Sequence, residues 1–390
     1  MKHQFRRHIF IFSITESELT KRGRRFPFLA KILYEKKCDI TYITSNFDHS
    51  SRIGFSNEYI AEVSDKLPYN LKVIKVLGYK KNVSFFRLLT HIQFALKSYF
   101  YFIKILEPGD IVIIPSRPPE LIWVVSLFKK KTNAELVLDI SDIWPDAFPA
   151  KKKFKRTIFE LYCHIFHSKA LPKFDKFIFT SPSFINWINR YVYKSNHAYI
   201  PLGFDPERWG AMKPKNTDDF KNEFRIFYIG NLTSNIDVSP VIEAIKNNDK
   251  FRFTIFGVGE KLPKIQEYVR KNSINNIEFK GFINSNEIPE HLAHQHLSVI
   301  PMHLNTMPNK LFDSIAAYLP ILVIGENDTS KFVEHYDIGW SLPFNNNKIK
   351  DFFHKLNKTE IVKKSRNIAK IRNQFSKESL YNEYIKHILS

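Results

Sequence analysis

A chain of 390 residues is long enough for two separately cored domains, and a 44% hydrophobic content with dispersed Gly and Pro excludes a long disordered protein. The net charge of +20 is concentrated in residues 1–200 and in the tail beyond 350, which implies a polyanionic partner, either an anionic membrane surface or nucleic acid. No stretch approaches the roughly 18 apolar residues that span a bilayer, and Cys38 and Cys163 have neither metal-site spacing nor disulfide density, as suits core thiols in a reducing cytosol.

The basic start of the chain leads into the apolar run Ile9–Ile14, which Ser13 interrupts and which meets Glu16 instead of a small-residue cleavage site. It therefore reads as a first buried strand and not as a secretory signal. Strands are expected at His8–Ser13, Ile40–Thr44, Leu71–Val76, Ile111–Pro115, Leu136–Ile140, Phe177–Thr180 and Ala198–Ile200. Helical spacing fills Phe26–Glu35, Phe85–Lys104 and Ser183–Tyr191 between them, the alternation of a doubly wound parallel sheet. From Pro201 to Asn222 the pattern dissolves into Gly, Pro and polar residues, an expected linker. Strands then resume at Arg225–Ile229, Phe251–Phe256, Ile277–Lys280, Leu297–Pro301 and Ile321–Ile324, and Lys348–Ser390 reads as wholly helical. The expected organisation is an α/β chain with a Rossmann-like domain over 1–201, a linker over 202–223, a second Rossmann-like domain over 224–365 and a final helix over 366–390.

The turn after the first strand lacks the Gly-x-Gly-x-x-Gly of a nicotinamide enzyme, and no Asp-x-Asp triplet is present to clamp a metal-bound diphosphate. No metal or other cofactor is expected. Phosphate chemistry points instead to the second half. Gly230-Asn231 and Gly257-Val258-Gly259 each follow a strand, where backbone can approach a ligand closely. Pro308 suits a first helical turn, so Asn309, Lys310 and Leu311 open a helix that Pro320 stops before the next strand. A lysine there opposes the positive end of the helix dipole and makes electrostatic sense beside an anion such as a diphosphate. Asp313 could accept hydrogen bonds from an attached ribose, or simply pair with Lys310 on the surface.

The segment Pro308-Asn309-Lys310-Leu311-Phe312-Asp313-Ser314-Ile315-Ala316-Ala317-Tyr318-Leu319-Pro320-Ile321 resembles the donor-binding segment of family 4 glycosyltransferases that build bacterial surface polysaccharides. Asp313 replaces a glutamate of that pattern, Tyr318 a glycine, and Asn305 stands at the first of the wider family's two glutamates. The basic residue that usually follows the Gly230 position is missing from Thr233-Ser234-Asn235-Ile236-Asp237. The resemblance implies a GT-B fold, two Rossmann-like domains facing each other across a cleft, with a nucleotide-diphosphate sugar held by Gly230, Asn231, Gly257, Gly259, Asn309, Lys310, Leu311 and Asp313 and its base near Phe282.

Three stretches after strands in the first half are similar to the same family: Arg22–Arg25, Thr44–His49, and Asp139-Ile140-Ser141-Asp142-Ile143-Trp144-Pro145-Asp146. The resemblance implies that this half binds the acceptor, with Arg24, Arg25, Asp48 and Asp146 as candidate contacts. Asp142 takes the place of a family histidine above the reacting sugar and is the first catalytic candidate, with His49 second; a helix cap is the other reading of Asp142. The implied reaction moves the sugar, with retention, to a lipid-linked saccharide. The aromatic and basic residues of Val83–Leu106 and the run Lys151–Arg156 suit an anionic membrane surface, so the enzyme is expected in the cytoplasm, peripheral on the inner face of the membrane. No nucleic-acid motif accompanies the charge. A GT-B sugar-nucleotide epimerase and an inactive polyanion-binding module are the alternatives.

Overall fold

The computed structural model describes residues 7–20, 25–81, 84–147, 153–210, 212–220 and 223–390, apart from the side chains of Lys153 and Lys155. Arg22, Arg24, Val83, Lys151 and Lys152 thus lie outside the described residues. Met1–Ile200 with Tyr381–Ser390 form one compact unit, and Pro201–Leu380 form a second.

The first unit contains a seven-stranded sheet of β1 (His8–Phe12), β2 (Asp39–Ser45), β3 (Asn70–Ile74), β4 (Ile111–Pro115), β5 (Glu135–Ile140), β6 (Lys176–Phe179) and β7 (His197–Tyr199). All pairings are parallel, in the order β3-β2-β1-β4-β5-β6-β7, with Phe10 opposite Val112 where β1 meets β4. Helices cover both faces of such a sheet, which is why β4 and β6 are buried along their whole length instead of alternating. Strand order reverses between β1 and β4, so the crevice beyond their carboxyl ends is the natural place for a ligand.

The second unit repeats the logic with six parallel strands: β8 (Phe224–Ile229), β9 (Phe251–Phe256), β10 (Ile277–Gly281), β11 (Leu297–Pro301), β12 (Ile321–Ile324) and β13 (Gly339–Leu342). Their order is β10-β9-β8-β11-β12-β13, and the reversal falls between β8 and β11. The short edge strand β13 was not expected; its Gly-Trp-Ser-Leu sequence is too brief to show a period, and it is fixed by pairing to β12.

Two helical readings change. Lys153–Ala170 is an 18-residue helix where the sequence drew attention only to a cationic run. The last helix spans Lys377–Leu389 and not 366–390, because a 3-10 turn at Arg372–Phe375 and extended backbone at Ser376 separate it from the Lys358–Ile371 helix. Tyr381 and Tyr384 on that last helix are fully buried in the first unit.

Candidate active site

In the second unit the crevice is made mainly by backbone. Gly230 ends β8 at φ +140° and Gly257 ends β9 at φ +137°, and a Cβ on Gly257 would lie 1.9 Å from the Gly230 carbonyl oxygen. The two turns therefore pack directly on each other. Their N–H groups do not point to a ligand: Gly230 donates to Phe256 and Gly257 to Gly281, continuing the ladders. What these glycines supply is close approach. A Cβ on Gly230 would come within 2.8 Å of Lys310 Nζ, so the lysine reaches from the Asn309–Ala316 helix to the reversal point. Its ammonium lies 4.2 Å from the centre of the Tyr228 ring and donates to the Tyr228 hydroxyl at 3.1 Å. Burial lowers the Lys310 pKa to about 7, despite the opposing pull of Asp313.

Asp313 is not simply the surface partner of Lys310 or an open ribose acceptor. Its carboxylate takes a hydrogen bond from Arg208 Nη2 at 2.8 Å, and burial raises its pKa against the attraction of Arg208. Leu311 is a correction: its side chain is fully buried in the core, since the helix's apolar face needs it there. Asn309 and Asn231 are exposed, and Phe282 stands 57% exposed just after Gly281 at the carboxyl end of β10. Gly259 packs against Leu232, where a Cβ would lie 2.4 Å from the carbonyl oxygen. Asn305 accepts from the Asp328 N–H, the first residue of the Asp328–His335 helix, so it serves as a helix-end acceptor.

In the first unit the crevice is made of side chains. A cavity of about 260 Å³ is lined by residues that follow β1 (Thr15, Thr20), β2 (Asp48, His49, Ser50), β3 (Tyr79) and β4 (Arg117, Pro118), together with Arg87, His91 and Trp144. His49 Nδ1 lies 2.5 Å from the Tyr79 hydroxyl, and burial beside Arg87 lowers its pKa to about 4. Asp142 pairs with Arg117 at 3.0 Å, and Ser116 Oγ donates to its backbone carbonyl at 2.6 Å. Burial raises the Asp142 pKa while Arg117 opposes the rise. The carboxylate is held by Arg117, which lines the cavity, a different arrangement from a simple helix cap.

The expected acceptor contacts divide. Asp48 is in the crevice, but the serines that follow occupy its oxygens, with Ser51 Oγ at 2.7 Å and the Ser50 N–H at 2.8 Å. Burial would raise its pKa, and these hydrogen bonds outweigh it and lower it. Asp146 forms a two-pronged pair with Arg190 at 2.7 and 3.1 Å. Arg25 is a second correction: it is buried, its Nε bridging both oxygens of Asp139 at 3.0 and 2.9 Å and its Nη2 donating to Ile200. Burial raises the Asp139 pKa against the attraction of Arg25, while Asp139, Tyr381 and Tyr384 together outweigh burial at Arg25 and raise its pKa. Tyr79, Arg87, His91 and Arg117 went unseen in the sequence, because they are scattered from position 79 to position 117 and share no motif.

Residues 212–376 match the model of the family described as Glycosyl transferases group 1. That match supports a glycosyltransferase. Among solved structures, HepE of Anabaena in complex with UDP-glucose is similar with a TM-score of 0.68 and 12% identity over 97% of this chain and 98% of that one. Sucrose-phosphate synthase from Thermosynechococcus elongatus gives 0.74 and 13%, covering 98% of each chain. WaaG, a glycosyltransferase involved in lipopolysaccharide biosynthesis, gives 0.68 and 13%, covering 98% of this chain and 99% of that one. At such identities the likeness is one of fold, and the fold is GT-B. No curated protein matches the chain.

Proposed function

We propose that this protein is a family 4 glycosyltransferase that moves a sugar from a UDP-sugar to a lipid-linked saccharide during bacterial surface polysaccharide synthesis, with retention of stereochemistry. The observation that carries the reading is Lys310, placed from a helix N-terminus against Gly230 at the strand-order reversal of the second unit. A diphosphate there neutralises the ammonium and the helix dipole together. The choice of UDP follows HepE, whose structures hold UDP and UDP-glucose. Phe282 is exposed where a base could stack, and Lys310, not a metal ion, carries the charge of the leaving diphosphate.

In this reading the first unit binds the acceptor, and Asp142, oriented by Arg117, directs the acceptor hydroxyl or stabilises positive charge on the sugar. Lys310→Ala should weaken UDP binding, measured calorimetrically, by roughly 1.5–3 kcal/mol. Asp142→Asn should leave UDP affinity intact and lower turnover. Unchanged UDP affinity in Lys310→Ala would remove the basis for the assignment.

Attachment to an anionic membrane is part of the proposal. Among the described residues no helix is long and apolar enough to cross a membrane. Within the expected membrane segment, Phe94 and Phe102 are wholly buried and belong to the core, while Phe85, Phe86, Phe100 and Tyr101 are exposed. The Lys153–Ala170 helix adds Phe154, Ile158, Leu161 and Ile165, all exposed at helical spacing along one stripe. Both helices pack against the Pro119–Ser126 helix, so the two apolar sets are on neighbouring elements. Binding to vesicles containing anionic lipid should fall with salt and with Ile158→Glu or Leu161→Glu.

A further inference from the structure

The cavity of the first unit is asymmetric in its hydrogen-bonding capacity. Its one lining carboxylate, Asp48, is already engaged by Ser50 and Ser51, and Asp142, next to the wall, is engaged by Arg117. Behind the wall, Glu120 accepts from the Tyr162 hydroxyl through Oε1 and keeps Oε2 without a hydrogen bond. Against these stand two guanidinium groups and two imidazoles. Arg87 lies 5.7 Å from the centres of both the Tyr79 and Trp144 rings, which hold it at the cavity wall. Arg117 uses Nη1 on Asp142 and is 42% exposed. His49 Nε2 and His91 Nε2 are buried with no hydrogen-bond partner, and the His91 side chain is only 6% exposed. Two adjacent imidazoles, with ring centres 5.9 Å apart, thus each keep a buried nitrogen unsatisfied, at a cost that a ligand would remove.

A neutral sugar brings hydroxyl donors that are best met by carboxylates, and the Asp48 oxygens of this cavity are taken by Ser50 and Ser51, as Oδ2 of the neighbouring Asp142 is by Arg117. A phosphate or carboxylate brings only acceptor oxygens and negative charge. We propose that the cavity receives an anionic group of the acceptor, a phosphate or a carboxylate, held by Arg87 and Arg117 with His49 and His91 as further contacts. The assignment of that anion to the acceptor rests on the glycosyltransferase reading; the anion site itself rests on the cavity. Burial and the two arginines disfavour protonation of both imidazoles in the empty cavity, and an arriving anion reverses that effect. His91 has Glu120 4.0 Å behind its Nδ1, a carboxylate placed to support the protonated ring.

The test uses the full chain carrying Lys310→Ala, which closes the second unit's phosphate site. Inorganic pyrophosphate, glucuronate and glucose are titrated separately while the imidazole resonances of His49 and His91 are followed by NMR. Pyrophosphate or glucuronate should bind, shift both imidazoles and raise their pKa. Preference for pyrophosphate identifies a phosphate-linked acceptor, and preference for glucuronate an acidic sugar. Arg117→Gln should weaken anion binding about tenfold or more, and Arg87→Lys should weaken it less than Arg87→Gln. Glucose binding as well as glucuronate, or anion binding indifferent to both arginines, overturns the proposal. In the chain with Lys310 restored, UDP measured alongside separates the two readings. Failure of UDP binding with pyrophosphate still held in the first unit removes the glycosyltransferase reading alone.

Discussion

The two units place a crevice at the same topological point, beyond the carboxyl ends of the strands where order reverses, and build it from opposite materials. In the second unit two glycine turns press together and a single lysine supplies charge. In the first unit arginines, histidines and aromatics from separate segments line a cavity. In the proposed reading the second unit meets a diphosphate, a constant feature of a nucleotide-sugar, and bare backbone with one cation is sufficient to approach it. In the same reading the first unit meets an acceptor, which varies, and side chains can be exchanged one at a time without disturbing the sheet that carries them.

The sharpest way to break this contrast is to give the glycine crevice a side chain. Gly257→Ala places a Cβ 1.9 Å from the Gly230 carbonyl oxygen at a backbone angle that L-residues rarely adopt. Strain and overpacking together should cost on the order of 4–5 kcal/mol. Hydrogen exchange should show the loss in β8 and β9 and leave β1 and β4 protected. A second unit as stable as the wild type would mean that the turns separate readily, and that close approach is not their purpose.

The corresponding change in the first unit is Arg25→Ala. Arg25 and Asp139, with side chains 8% and 0% exposed, form a buried pair in the first unit, and Tyr381 and Tyr384 flank the guanidinium at 5.9 and 5.8 Å. Removing the cation leaves Asp139 charged and enclosed, which should cost about 3–4 kcal/mol by urea denaturation. Arg25→Ala together with Asp139→Leu should recover part of that loss. If the single substitution is as stable as the wild type, Arg25 is not structural and its expected role in binding an acceptor returns.

The contrast also explains what could be read in the chain. Both sheets were legible, because parallel strands covered on two faces appear as apolar runs such as Ile111–Pro115 and Leu297–Pro301. The glycine crevice was legible because its parts are local: a glycine after each strand and a lysine in a first helical turn. Even there the sequence could not tell that the glycine N–H groups continue the ladders, or that Arg208, 105 residues away, takes Asp313. The side-chain cavity was nearly invisible. His49 was found by its place after β2, but Arg87 and His91 lie on a helix whose aromatic residues suggested a membrane, and nothing local marks Arg117 as the partner of Asp142.

The crevices should also respond oppositely to pH. His49 is neutral in the folded first unit down to about 4, whereas an unfolded histidine accepts its proton near its ordinary value of about 6.5. Stability held by the neutral ring is therefore complete above about 6.5 and is lost as pH falls toward 4. Arg87 and Arg117 face the ring and oppose its protonation, while Asp48 favours it. His49→Gln should remove roughly 1–3 kcal/mol of this acid dependence. An unchanged acid limb in His49→Gln would show that the ring charges freely in the folded protein.

The second crevice loses its charge in the other direction. With its pKa lowered to about 7, Lys310 is protonated and ready for a diphosphate below neutrality and increasingly neutral above it. Bound diphosphate favours the charged form, so the complex must take up a proton that the free protein has lost. A terminal phosphate completes its own ionisation near pH 6, which leaves the lysine as the group that titrates between pH 7 and 9. UDP affinity should then fall by up to about tenfold, or 1.4 kcal/mol, for each pH unit above 7 until the pKa of the bound amine is reached. Lys310→Gln should bind UDP weakly with a flat profile over the same range, because an amide has no proton to lose. Calorimetry in two buffers of different ionisation enthalpy would count the proton directly. Wild-type affinity that stays constant from pH 7 to 9 would mean that solvent reaches the ammonium before the ligand does, and that the enclosure by Tyr228 and Gly230 is not what tunes it.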